Sequence, residues 1–416
     1  MPGLPAGKER VKLPQTQSPW PTNGTCSAMQ RVVIIGGGAV GSSIAYFLSQ
    51  SPRAFDVTVL ERDPTYARAS SALSASSIRQ QFSTPVNIGM SQMGIAFLRD
   101  LSSTLYVDDP APDIGLTEPG YLYLATAAGS ATLRANHATQ RSHGVDVALL
   151  DPTDLQARFP WLHTADLALG ALGLSGEGWF DGYGLMQALR RKAVAQGATY
   201  RRAEAVGLLR DGSRINGVWA GNGELLPCDA VINAAGPWAA RVAQWAGIDL
   251  PVRARRRTVF SFSCPSALPD CPLLIDPTGI WFRPEGDKFL CGYAPDADDD
   301  ADDMPLDAQH EAFDSHVWPA LTARVPAFEA VRVRSAWAGY YEMNLFDHNA
   351  IIGTHPDCPN LYFANGFSGH GLQQAPAAGR GISELLRYGE YRSLDLSDLS
   401  FQRILDNRPL PEKNII

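Results

Sequence analysis

Gly36, Gly38 and Gly41 fill the three positions of a G-x-G-x-x-G spacing, with Ala39 and Val40 before the last. The first glycine permits a tight strand-to-helix turn. The second lets backbone approach a pyrophosphate, and the third lets helix and strand pack closely. A pyrophosphate would rest on the free N–H groups at the positive end of the helix dipole. Glu61 follows Gly41 by about 20 residues, the spacing at which a carboxylate accepts hydrogen bonds from ribose hydroxyls. This is dinucleotide-binding chemistry. The ordinary alternative is a glycine-rich turn with no ligand, and a strand, a helix and an acid in register weigh against it.

Three later stretches add to this cradle. Ala69 to Phe82 is rich in small hydroxyl residues, including Ser70, Ser71 and Ser77, and carries Arg79. Serine there lets backbone and Oγ approach a ligand closely; a Ser-rich surface loop is the equal alternative. Ala234 to Ala239 contains Ala235, Gly236 and Trp238 after a buried strand, at a second strand-to-helix turn. Asn365 to Gln374 holds Gly366, Phe367, Gly369, His370, Gly371, Leu372 and Gln373 ahead of a helix from Ala375 to Tyr388. That helix start is another place to stabilise developing negative charge. Three strand-turn-helix cradles along one chain suit a single long cofactor.

The positioning elements read as follows. Arg31 to Ile35 is a β-branched run, as for a strand buried on both faces, and Val57 to Leu60 is a second such strand. Ser42 to Ser49, Pro85 to Leu101 and Leu185 to Gln196 read as helices. Gly120 to Ala125 alternates as a strand. Strands Ala203 to Leu209 and Ile215 to Ala220 meet across Asp211-Gly212, a hairpin signal. Gly279 to Pro284 and Lys288 to Tyr293 pair around Glu285-Gly286. Arg253, Arg255, Arg256 and Arg257 read as an exposed strand end rather than an anion site. The aspartates of Pro295 to Pro305 read as a solvated loop; they lack the glycine and terminal glutamate of an EF-hand, so no metal is expected.

Composition bounds the function. A chain of 416 residues exceeds one compact core, so two packed domains are expected. A net charge of −8 argues against nucleic acid as partner. No apolar run is long enough for a membrane span. The cysteines contain no C-x-x-C pair and read as reduced thiols, which favours a cytoplasmic protein. Residues 1–29 read as a disordered arm, with a degraded targeting segment as the minor alternative.

The dinucleotide motif, the Ser-rich loop and Gly366-Phe-Ser-Gly-His-Gly371 resemble the D-amino-acid oxidase/sarcosine oxidase superfamily of flavoproteins. Within it, Leu73 to Ser83, Ser335 to Tyr341, Gly366 to Pro376 and the tail from Glu412 to Ile416 are similar to the FAD-dependent oxidoreductase domain-containing group and its bacterial relatives. The resemblance implies an α/β fold, α+β overall: a Rossmann-like FAD-binding domain with an inserted mixed β-sheet substrate domain. The expected partition is 30–84, 176–250 and 346–416 for FAD, and 85–175 and 251–345 for substrate. It implies FAD contacts from Gly36, Gly38, Ala39, Val40, Gly41, Glu61, Arg62, Ser70, Ser71, Ser77, Val206, Ala235, Gly236, Trp238 and Gly366 to Gln373 without Ser368.

The implied activity is oxidation of an N-substituted amino acid or related amine. A hydride leaves the carbon beside a neutral nitrogen for flavin N5, and the resulting imine hydrolyses. The helix near Gln373 would face the anionic edge of the reduced ring. Tyr340, Arg79, Arg283 and His370 are the pocket candidates, with the two arginines expected to hold a substrate carboxylate. Three positions depart from the sarcosine oxidases: Ala338 stands at the flavin-tethering cysteine, so the FAD is expected to be non-covalent. Gln373 replaces a substrate-binding lysine, and Leu290 replaces an oxygen-activating lysine. The electron acceptor is accordingly oxygen or an electron-transfer partner. Two other functions fit the same fold: a flavin-dependent 2-hydroxy-acid dehydrogenase, and an FAD-containing assembly factor for a partner complex.

Overall fold

The computed structural model describes residues 29–295 and 300–413. The arm expected at 1–29, the aspartates at 296, 298 and 299 and the tail residues 414–416 fall outside the described residues, Met29 excepted.

A six-stranded sheet runs in the order Ile351–His355, Cys358–Asn365, Ala230–Asn233, Gln30–Ile35, Phe55–Glu61 and Thr199–Arg202. All its pairings are parallel except the first, an edge hairpin. Parallel strands of this kind are covered on both faces, and Gln30–Ile35 shows it residue by residue. Val32 and Ile34 enter a core with Ile44, Leu185 and Ile382 of the helices Ala39–Ser49, Gly182–Ala195 and Gly371–Tyr388. Val33 and Ile35 enter the opposite core, with Ile215, Val218 and Val242. There the hairpin Ala205–Asp211/Arg214–Ala220 and the helix Ala239–Gln244 lie across the sheet.

The second sheet has eight strands: Arg332–Asn344, Val252–Ser263, Lys288–Gly292, Trp281–Glu285, Leu273–Ile275, Tyr121–Ala125, Leu169–Gly173 and Val147–Leu150. Its one parallel pairing joins Leu273–Ile275 to Tyr121–Ala125. Tyr121–Ala125 keeps its alternation but has no solvent face. Leu122 and Leu124 point into a core with Phe260, Phe282 and Phe328, while Tyr121 and Tyr123 point into another. The arginine run is the larger correction. Val252–Ser263 is an interior strand, paired along its length with Arg332–Asn344, so its arginines are not a free strand end. They meet the acidic segment: Arg257 pairs with Asp300 at 2.7 Å, Arg255 with Asp302 at 3.0 Å and Arg253 with Asp302 at 3.6 Å. Two charge runs that each read as solvated partner one another.

The end of the described chain is pinned too. Glu412 is buried and accepts from the Ser83 N–H at 2.8 Å, the Thr84 hydroxyl at 3.0 Å and the Asn87 amide at 3.0 Å. It sits at the start of the Pro85–Arg99 helix, where a carboxylate complements the helix dipole.

Candidate active site

The first cleft opens where Gln30–Ile35 ends. Gly36 has φ +103°, and a Cβ on it would lie 2.3 Å from the Ala234 carbonyl oxygen. A Cβ on Gly41 would lie 1.9 Å from the carbonyl oxygen of Gly36. Only hydrogen fits at either position, so the turn and the helix that follows it are held hard against two strands. Glu61 is fixed over this turn: one carboxylate oxygen accepts from Gly37 N–H and the other from Asp63 N–H, both at 2.9 Å. Ser71 Oγ accepts from Ala39 N–H at 3.0 Å, so the Ser-rich loop closes over the helix start. Ser70 Oγ is buried without a partner. Across the cleft, the Arg62 guanidinium stacks on the Trp238 ring at 3.8 Å. The cleft spans about 1060 Å³ including the space open to solvent, and Ala39, Val40, Ala235 and Gly236 complete its wall.

A second cleft of about 1130 Å³ continues from the first, sharing Ala39, Val40, Ser70, Ser71 and Glu342 with it. Ser77, Tyr340, Gly369, Gly371, Leu372 and Gln373 line it, as do Tyr121, Trp281, Tyr293 and Tyr341. Gly369 has φ +96°, and a Cβ there would enter the Tyr341 ring at 2.4 Å. Gly366 donates its N–H to Glu342 at 3.1 Å, and Phe367 is buried beneath the turn. The long helix starts at Gly371, two residues before Gln373 and four before the expected Ala375.

The polar candidates divide. The Gln373 side-chain oxygen accepts from Arg79 N–H at 2.9 Å and from Ser91 Oγ at 3.2 Å, which leaves its NH2 group as the donor end. Arg79 and Arg283, expected in the pocket, lie behind its wall. Arg79 is buried, with its guanidinium on the Tyr123 hydroxyl at 2.5 Å and on His370 Nε2 at 2.9 Å. Arg283 gives its terminal nitrogens to the Ala75 and Pro284 carbonyls and to Glu285, and stacks on Trp179. Both cations are engaged by internal acceptors, which an unpaired arginine in a half-dry pocket would lack. His370 caps the helix. Burial and then the Arg79 charge hold it well below its ordinary value. It is therefore neutral, with Nε2 accepting from Arg79. The Tyr340 hydroxyl lines the cleft but donates to the Met304 carbonyl at 2.6 Å. Val206 is exposed, and its neighbour Ala205 lines the first cleft instead, because the strand turns alternate side chains outward.

Two residues were not singled out by sequence. Arg257 lines the second cleft, hidden in a run that reads as exposed. Glu342 lines both clefts, and a lone acid closing an aromatic strand is the only signal it leaves. Burial pushes the Glu342 carboxyl up to about 8, and that of Glu177 up to about 7. Both folded values lie above the ordinary 4.5, so the folded state holds these protons longer than the unfolded chain. What these two groups contribute to stability is full below about pH 4.5 and is lost as pH rises through about 7 and about 8. Glu342→Gln is expected to flatten that fall. Urea midpoints of flavin-free protein from about pH 5 to about pH 8 measure it. Parallel curves for variant and wild type would show that Glu342 does not keep its proton.

The two joined clefts fit an elongated dinucleotide. The glycine cradle excludes side chains where a phosphate would approach, and Ser70 Oγ is an unspent polar atom at the junction. Comparison with known proteins agrees. The chain belongs to the family described as FAD dependent oxidoreductase (DAO), whose sequence pattern matches residues 31–385. It is an FAD-dependent oxidoreductase of that family. It is 42% identical over 421 residues to FAD-dependent oxidoreductase domain-containing protein 1 of Xenopus laevis, covering 92% of this chain and 84% of the relative. The β subunit of sarcosine oxidase from Rhizobium meliloti (strain 1021) is 26% identical over 372 residues, covering 86% of this chain and 84% of that one. Among solved structures, L-proline dehydrogenase from P. horikoshii superposes with a TM-score of 0.81 at 24% identity, covering 92% of this chain and 99% of that chain. Among the described residues no helix is long and apolar enough to cross a membrane, and no cluster of metal-ligating side chains occurs.

Proposed function

We propose that the protein oxidises an N-substituted amino acid, or a related amine bearing a carboxylate, in the second cleft. The observation that carries this is the lining of that cleft. Aromatic side chains wall it, and Arg257 is the one basic residue among its described lining residues. A carboxylate entering a partly dry pocket needs a cation, and an aliphatic amine needs an apolar wall and a donor or acceptor to orient it.

Bound FAD supplies the hydride acceptor, and the protein supplies orientation and electrostatics. The first cleft would hold the nucleotide half through Gly36, Gly38, Glu61 and Ser71. Gln373 presents N–H groups at the start of the Gly371–Tyr388 helix, on the side where negative charge would develop. Tyr121, Trp281 and Tyr341 exclude water from the reacting carbon. His370, neutral and held through Nε2 by Arg79, keeps the glycine turn in place, with its single ring proton on Nδ1. With Ala338 in the strand beside the cleft, no nucleophile tethers the flavin there.

The names of two similar proteins, for sarcosine and L-proline, support the amine reading over a 2-hydroxy acid. The test is anaerobic. N-Methylated amino acids and proline are expected to bleach the flavin absorbance of the purified protein, while the matching 2-hydroxy acids and carboxyl-free amines leave it unchanged. Bleaching by the hydroxy acids alone would replace this reading with the dehydrogenase one. No bleaching by any compound, with a partner complex co-purifying, would replace it with an assembly role. Reoxidation by air against reoxidation by an added dye then identifies the acceptor.

A further inference from the structure

Arg257 holds both terminal nitrogens on a single carboxylate, that of Asp300, at 2.7 and 3.0 Å. This is the two-point fork that a substrate carboxylate would make. Arg257 lines the cleft with its side chain 10% exposed, and the side chain of its partner Asp300 is 19% exposed. Arg257 Nε is buried without a partner, and the guanidinium lies 5.4 Å from the centroid of the Tyr341 ring.

The residues that follow Asp300 are held to the sheet independently of it. Asp302 is separately tied to Arg255 at 3.0 Å and to Arg253 at 3.6 Å. Asp303 N–H donates to the Ala254 carbonyl at 3.1 Å, and Gln309 N–H donates to Thr258 Oγ1 at 3.2 Å.

We infer that Arg257 is the carboxylate seat of the second cleft, and that Asp300 is a built-in competitor which an incoming carboxylate displaces. This rests on the proposed function only in taking the ligand to be an anion in this cleft. The competitor would keep the guanidinium paired while the cleft is empty, avoiding an uncompensated charge against aromatic walls. It would also raise the threshold for weak anions, since every ligand must outbid an intramolecular partner.

The sign of one substitution distinguishes competitor from support. Asp300→Asn keeps size and loop chemistry but removes the rival charge. In FAD-loaded protein, benzoate is the probe, its ring suited to the aromatic walls, with benzamide as the neutral control and the flavin spectrum as readout. Wild type is expected to bind benzoate and not benzamide. Asp300→Asn should bind benzoate at least about tenfold tighter, Arg257→Gln at least about tenfold weaker, and the double variant like Arg257→Gln alone. Arg257→Lys, a charge without the fork, should fall between. Benzoate affinity unchanged or lowered in Asp300→Asn would overturn the proposal, as would wild-type affinity in Arg257→Gln with native FAD content. If no amine bleaches the flavin yet this benzoate pattern holds, the seat stands and the amine reading alone fails.

Discussion

Gly41→Val is expected to yield colourless protein. The side chain at 41 points at the Gly36 carbonyl oxygen, which a Cβ would approach to 1.9 Å. That oxygen belongs to backbone, and Gly36 is itself wedged against Ala234, so the neighbour cannot retreat. The Ala39–Ser49 helix must move off the sheet. With it go the Ala39 N–H held by Ser71 and the Gly37 N–H held by Glu61. Overpacking of this kind costs typically 1–3 kcal/mol, and more where backbone must shift, against roughly 5–15 kcal/mol for a whole fold. The chain is thus expected to retain its far-ultraviolet circular dichroism while its FAD content falls at least about tenfold. Loss of the ligand lowers the melting temperature further by mass action. Gly38→Ala is the mild comparison, because the added methyl meets only Ser71 Oγ, at 3.3 Å. A Gly41→Val protein purified with one flavin per chain would remove the cradle from the binding site.

Arg403→Met is expected to be the most destabilising single change away from the clefts. Asp347 has no exposed side-chain surface, and Arg403 holds it through Nε at 2.7 Å and Nη2 at 3.0 Å. Backbone N–H groups of Leu410 and Asn349 and the Asn344 amide complete its shell. Removing one partner of a buried pair leaves an uncompensated charge and costs about 3–5 kcal/mol. The remaining N–H donors cannot supply the missing positive charge. Arg403→Met/Asp347→Asn should recover at least half of the loss, because the orphaned charge goes with its partner. Urea unfolding of the two variants beside wild type at neutral pH measures this. The effect should reach the site, since Asn344 N–H donates to Ser368 Oγ at 3.1 Å, inside the Gly366–Gly371 turn. A single variant within about 1 kcal/mol of wild type would mean that the Arg403–Asp347 pair adds little to the fold.

What could be read in the sequence was what local backbone demands. Gly41 is required by a contact within its own turn, and Gly36 and Gly369 by the positive φ that theirs demand, so their spacing announced both cradles. Glu61 lay at a fixed distance along one βαβ unit. The Arg31–Ile35 run declared its two buried faces by composition alone. The polar lining was hidden because its partners come from far along the chain. Arg257 and Asp300 are separated by the three strands Leu273–Ile275, Trp281–Glu285 and Lys288–Gly292, and each alone resembles a solvated charge. Arg79 looked available until Tyr123 and His370 closed on it from other elements. Glu342 becomes notable only when Gly366 and the two clefts surround it. Val206 lies exposed outside the cleft lining while its neighbour Ala205 is part of it, a difference of facing that the sequence does not assign.

The strand order of the six-stranded sheet also sets a timetable for synthesis. Gln30–Ile35 is central, with Phe55–Glu61 on one side and Ala230–Asn233 on the other. The first neighbour leaves the ribosome almost at once, but the second follows roughly 200 residues later, which at about 5–20 residues per second is some 10–40 s. Through that interval Val32 to Ile35 present an open, strongly apolar edge, the template on which chains pair wrongly. The strand Cys358–Asn365, with its edge hairpin partner Ile351–His355, then docks on Ala230–Asn233 after a further delay of similar scale. Such late, non-local closure makes folding slow. The slower the synthesis, the longer chaperones must shield that one early strand, so yield is expected to follow this shielding as well as the stability of the finished protein.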